Sequence, residues 1–291
     1  DTGMSGSNSE GYILNSGPNP DRMFILWKSV SQGNRTDDEL ETSTGFSESQ
    51  ISTTVTGLRH LRMLEGGNEY EAVELSYVSA ASTEEIAFGL TILDNIMSES
   101  TPPDWSKQAA LPLTISYFLS NNIQRFRRMD KTLATKINDY HRARDYVPRD
   151  GKGNPNDMND RKLQNWTFFA DFIGVVRKWD GKDYTTYLSP DLVYSLLRVG
   201  VDQLPDEAAS SSEPPAISIQ DWLKLVSERF FPIRLTNSDE VPLILSQTLV
   251  DLCKQGRIRI VEAGDKGHIG LQNTPSPSSM DAQANSIRLL K

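Results

Sequence analysis

The 291-residue sequence predicts an α+β, helix-rich chain built from two or three similar units, each a few helices followed by a small antiparallel hairpin. Three observations carry this. Apolar residues recur at helical spacing in three separate stretches. A glycine-containing turn closes each stretch and leads into a short alternating run. Proline- or serine-rich punctuation separates the stretches. These breaks divide the chain into a flexible lead over 1–20, an acidic unit over 21–101, a basic unit over 105–204, a linker over 205–216, a C-terminal unit over 217–272 and a flexible tail over 273–291.

In the first unit, Met23 to Val30 forms a short apolar helix containing Phe24, Ile25, Leu26 and Trp27. Thr36 and Glu39 form a capping box, opening a brief helix that Gly45 ends. A second box, Ser47 and Gln50, starts a longer helix with Ile51, Val55, Leu58 and Leu61 on one face. Glu65-Gly66-Gly67-Asn68 turns the chain, and Tyr70, Val73 and Leu75 lie in a strand-like run. This order of helices, glycine turn, longer helix and hairpin resembles the winged helix-turn-helix superfamily over residues 22–77. The resemblance implies tandem winged-helix-like domains, with the third helix of the first unit as the element that enters a DNA major groove. Ile13-Leu14-Asn15 and Asp21, leading directly into this segment, also resemble accessory proteins of prokaryotic DNA-modification defence operons, which implies a role in antiviral defence.

The second unit gives an apolar run from Leu111 to Phe126 and a helical pattern from Asp130 to Tyr146. The breaker-rich loop 148–158 follows, then a helix capped by Asn159, with Leu163, Trp166, Phe169 and Ile173 on one face and Gly174 closing it. Asp180-Gly181 then marks a hairpin. The third repeats the theme. Ser218 opens one helix and Ser238 another, Gly256 closes the second, and RIRIVE pairs with HIGLQ across Asp265-Lys266-Gly267.

Composition excludes several function classes. No run of about 18 uncharged apolar residues exists, so no membrane partner is expected. The single Cys253 cannot form an internal disulfide, which points to a reducing, cytoplasmic home. A phosphate loop, a strand-anchored GxGxxG and a GxSxG elbow are all lacking. The three histidines, His60, His141 and His268, lie too far apart in sequence for a helical metal pair. Asp150 and Asp180 sit in Asp-Gly-Lys turns, where turn geometry alone favours them. An enzyme, a cofactor and a metal are therefore not expected.

Charge is unevenly spread. Residues 1–104 hold 5 basic and 17 acidic residues, residues 105–204 hold 16 and 11, and residues 205–291 hold 9 and 11. Double-stranded DNA is the expected partner, and phosphate neutralisation needs Lys and Arg, so the basic middle is the expected DNA surface. Its candidates are Arg125, Arg127, Arg128 and Lys131 on one helical stretch, Arg161 and Lys162 opening the next helix, and Arg177, Lys178 and Lys182 on the hairpin, beside Trp179 and Tyr184. In the acidic unit, Gln50, Thr53 and Arg59 are the candidates on the outward face of the longer helix, where Gln suits adenine readout. The expected function is a non-enzymatic DNA-binding protein or adaptor that also docks a protein partner or a second copy of itself. The alternative is a protein-interaction scaffold with little DNA contact.

Overall fold

The computed structural model describes residues 11–16, 19–150, 152–204, 214–262, 267–272 and 284–290. The chain is mixed α+β, about 49% helical, with 11 helices and small sheets among the described residues. It opens with α1 (Ile13–Ser16), α2 (Pro20–Ser31), α3 (Asp37–Thr44) and α4 (Glu48–His60), followed by the strand pair β1 (Leu64–Glu65) and β2 (Glu71–Ala72). The caps form as the sequence dictates. Glu39 Oε2 accepts from the Thr36 N–H at 3.0 Å, Gly45 sits in the left-handed region at φ 71°, and Gln50 Oε1 accepts from the Ser47 N–H at 3.0 Å.

After α5 (Glu84–Ser98), the middle of the chain runs α6 (Ala110–Ser120), β3 (Arg125–Arg127), α7 (Lys131–Arg142), α8 (Asp160–Ile173), β4 (Val176–Asp180) and β5 (Asp183–Thr186). The last third runs α9 (Pro190–Val201), β6 (Ala216–Ser218), α10 (Ile219–Arg229), β7 (Glu240–Val241), α11 (Leu243–Lys254), β8 (Ile258–Val261), β9 (Gly270–Leu271) and β10 (Ser286–Leu289). Both thirds use the same antiparallel pattern, with the last strand of each in the centre: β3-β5-β4 and β6-β10-β8. In the first unit the place of the opening strand is taken by a single contact, Tyr70 N–H to Arg35 O at 2.8 Å.

Several expectations need correction. Arg125 and Arg127 lie on β3, not on a helix, because the apolar run ends at Ser120 and Phe126 alone points inward between two exposed arginines. The pairing of RIRIVE with HIGLQ does not form. β8 pairs instead with β10, while β9 pairs with β7 in parallel, so not every small sheet is antiparallel. Asp265 and Lys266 lie outside the described residues. Val241 belongs to β7, and α11 begins only at Leu243. The end of the presumed flexible tail is the central strand β10, held because Ile287 is fully buried between β6 and β8. Within the presumed loose lead, Tyr12, Ile13 and Leu14 are buried, and the Ile13 N–H donates to Gln108 Oε1 at 2.9 Å. Residues 205–213 of the expected linker lie outside the described residues.

The buried apolar side chains form one continuous cluster running through all three units. Phe88 on α5 packs edge-on against Phe24 of α2 (5.5 Å) and Phe172 of α8 (6.1 Å). Gly89 lets α5 approach α8 so closely that an added Cβ would lie 3.1 Å from Ile173 Cγ1. At the other junction, Tyr77 packs against Phe230 at 5.2 Å, and the Ser82 N–H donates to Ser195 Oγ at 2.9 Å.

Candidate nucleic-acid interface

The last helix before the closing strands of each unit, α4, α8 and α11, differs sharply in what it exposes. α8 is enclosed. One face carries Leu163, Trp166, Phe169 and Ile173 into its own unit. The other meets the head, where Asn165 Nδ2 donates to Leu14 O at 2.8 Å and Phe172 lies 6.2 Å from Phe24. α11 is enclosed too, with Ile244, Leu245, Ser246, Thr248, Leu249, Val250, Leu252 and Cys253 all buried. Its Thr248 Oγ1 donates to Leu188 O at 2.9 Å, tying it to the segment before α9. Only α4, among the three, keeps an open outward face, with Ser49, Ser52, Thr53, Thr56 and Arg59 exposed.

The candidates on α4 are engaged internally. Gln50 completes a capping box. Thr53 Oγ1 donates back to Ser49 O at 2.8 Å. Arg59 donates to Gly66 O at 2.6 Å and lies 5.3 Å from the Tyr70 ring centroid, so it clasps the β1–β2 turn. What α4 offers outward is a row of hydroxyls.

Lys162 is likewise no surface cation. It is buried, its Nζ donates to Asn156 O, Asn156 Oδ1 and Asp157 O, and it lies 5.3 Å from the Tyr12 ring centroid. Burial pulls its pKa below the ordinary lysine value. Its neighbour Arg161 is exposed at the N-terminal end of α8, the end opposite the one β4 leaves.

The remaining basic candidates converge on the sheet β3-β5-β4. Pairing sets Arg125 opposite Thr185, and Thr185 opposite Arg177, a row across three strands. Strands in a sheet lie about 4.8 Å apart, so the two guanidiniums share one patch. Inward-facing Phe126, Tyr184 and Val176 are buried and anchor the sheet to Phe118 and Trp166. Outward, Arg127 pairs with Asp183 at 3.2 Å. Arg125, Arg177, Lys178 and Lys182 make no ion pair among the described residues. Lys182 occupies the two-residue tip after Gly181 (φ 47°), and its carbonyl accepts from the Arg128 N–H at 3.1 Å. Lys131 is exposed at the start of α7, which Asp130 caps through the Leu133 N–H at 2.9 Å. Trp179 stands among these cations, 67% exposed, with the Arg125 guanidinium 5.0 Å from its ring centroid.

A second open feature lies in the head. A groove of about 570 Å³ between α2 and the chain following β2 is lined by apolar Trp27, Val30, Val73 and Val78, by Glu71 and Glu74, by Glu84, which pairs with Lys28, and by Arg35. Trp27 Nε1 donates to Val73 O at 3.0 Å, and Val78 is 62% exposed.

Sequence reasoning found the cations of the sheet and Trp179 but not the row that sets Arg125 across from Arg177, because β3 is three residues long and pairs only with a strand nearly sixty residues away. Lys178 falls in the alternate row, in register with Tyr184. No helix among the described residues is long and apolar enough to cross a membrane. No family model, curated protein or solved structure matches the chain.

Proposed function

We propose that the protein is a non-enzymatic DNA-binding adaptor of winged-helix type, in which the β3-β5-β4 sheet of the basic unit meets the phosphate backbone and the acidic head docks a protein partner. The observation that carries this reading is the row Arg125–Thr185–Arg177 with Lys178 and Lys182 beside it. These cations are exposed and make no ion pair among the described residues. Arg125 and Arg177 share one face of the sheet, with Lys178 on the alternate row and Lys182 in the hairpin tip, which suits backbone binding without base readout. The enclosure of α8 and α11 argues against groove insertion by these helices and for contact led by the hairpin.

The scaffold reading is favoured at the head by its groove. A lining that is largely apolar, with Glu71 and Glu74 outnumbering the single cation Arg35, fits a partner segment with apolar anchors and basic flanks. A place among defence proteins rests on the lead into α2 alone and is tested by the partner the head captures in its native cells.

A titration of fluorescent duplex DNA by anisotropy at several salt concentrations tests the DNA reading. Replacing Arg125, Arg177 and Lys178 by Ala should weaken binding roughly 10²-fold near 0.1 M salt and flatten the slope of log K against log salt by about 0.9 per lost contact. An unchanged slope would sink the sheet as the DNA surface and leave the scaffold reading standing.

A further inference from the structure

We infer that the groove beside Trp179 holds an unpaired DNA base, so that the protein prefers DNA with a single-stranded overhang to blunt duplex. This rests on the DNA reading above and adds a substrate class to it. Trp179 is set apart from the other tryptophans. Trp27, Trp166 and Trp222 are buried and Trp105 is packed against the core, whereas Trp179 presents most of its surface from the break in register between Lys178 and Asp180, near the end of β4. A large aromatic left outside the core at such exposure calls for a partner.

The surroundings specify that partner. Trp179 borders a groove of about 410 Å³ lined by Arg125, Arg127, Asp130 and Asp183 and by the parts of Phe126 and Tyr184 that reach the surface, their rings being buried on the other side of the sheet. That space accepts one planar group, not a double helix. Arg125 lies over one face of the indole, 5.0 Å from its centroid, which leaves the other face for a base and places a positive charge beside it. Each edge carboxylate spends one oxygen inside the protein, Asp130 on the Leu133 N–H and Asp183 on Arg127 Nε. Their other oxygens favour the amino group of a base and repel phosphate, which directs the strand's backbone toward Arg125 and Arg177. Bases inside a duplex keep both faces covered, and an end base brings its paired partner and second strand with it, so an unpaired base suits Trp179 best. A protein partner is the competing occupant, since Trp and Arg are also common at protein interfaces, and the comparison of two DNAs below separates the two.

The full chain should be titrated with a blunt duplex and with the same duplex bearing a four-nucleotide overhang. The wild type should bind the overhang about tenfold more tightly, the scale of one stacked base. Trp179→Ala should abolish that preference and leave blunt-duplex affinity and its salt slope in place, while Trp179→Phe should restore part of it. Equal binding of both DNAs by the wild type, or an equal loss on both DNAs in Trp179→Ala, would overturn the stacking assignment while leaving duplex binding intact. Binding of neither DNA at low salt would overturn this assignment and the DNA reading together.

Discussion

The third helices of the first two units, α4 and α8, have been given opposite fates. α4 shows a full outward face to solvent but carries hydroxyls there, its one arginine being turned onto the β1–β2 turn. α8 belongs to the most basic part of the chain but is enclosed by α1, α2 and α5. Accessibility and charge, which a DNA-reading helix needs together, are found on different units. The cations are instead displayed on the sheet that α8 supports from behind. A repeated element order therefore does not confer a repeated role: packing between units decides which face of each remains available.

This contrast depends on the head and the middle sharing a core, and Phe88 is where it is most easily broken. Phe88→Ala removes a fully buried ring that touches Phe24, Trp27 and Phe172 at the junction. The expected cost is about 3–5 kcal/mol, read as a lower denaturant midpoint of one cooperative transition. Two separated transitions in the wild type would mean that the units unfold independently, and the enclosure of α8 would lose its meaning.

Lys162 sharpens the same contrast from the side of charge. By sequence it is one more cation opening a basic helix; in the structure it satisfies two backbone carbonyls and the Asn156 side chain under the loop that precedes α8. Lys162→Met should cost about 2–3 kcal/mol, because those acceptors are left buried without a donor. At temperatures where the variant stays folded, its DNA salt slope should equal that of the wild type. A slope flattened by about 0.9 would show that Lys162 meets phosphate after all.

What was legible in the sequence was local. The Thr36 and Ser47 boxes, the Gly45 and Gly174 closures (φ 71° and 89°) and the Asp180–Asp183 hairpin are decided within four residues by hydrogen bonds and left-handed backbone, and all of them form. What was not legible was decided at long range. β10 is a four-residue strand whose partners lie about 25 and 70 residues earlier, and nothing in Ser286–Leu289 alone says that it will sit in the centre of a sheet. The split between surface and buried cations has the same origin. Arg161 and Lys162 are neighbours in sequence, but helical geometry turns one to solvent and the other inward, and only the position of the 156–157 carbonyls makes the buried one tolerable.

The smallest effect concerns Arg59, which the sequence offers as a DNA contact and the structure uses as a clasp. Its guanidinium reaches Gly66 O at 2.6 Å and packs on Tyr70, whose hydroxyl donates to Asp37 Oδ1 at 2.8 Å. The contacts are exposed, so Arg59→Ala should cost no more than about 0.5–1.5 kcal/mol. The loss should be local, seen as faster amide exchange in the β1–β2 turn with little change in the global midpoint. Because α4 would then present no bound cation to lose, DNA affinity and its salt slope should be indistinguishable from those of the wild type. If the slope instead flattens by about 0.9, the guanidinium leaves Gly66 for a phosphate, and the head joins the DNA surface. The proposed division of labour between an acidic docking head and a basic DNA-binding middle would then have to give way to one interface spanning both.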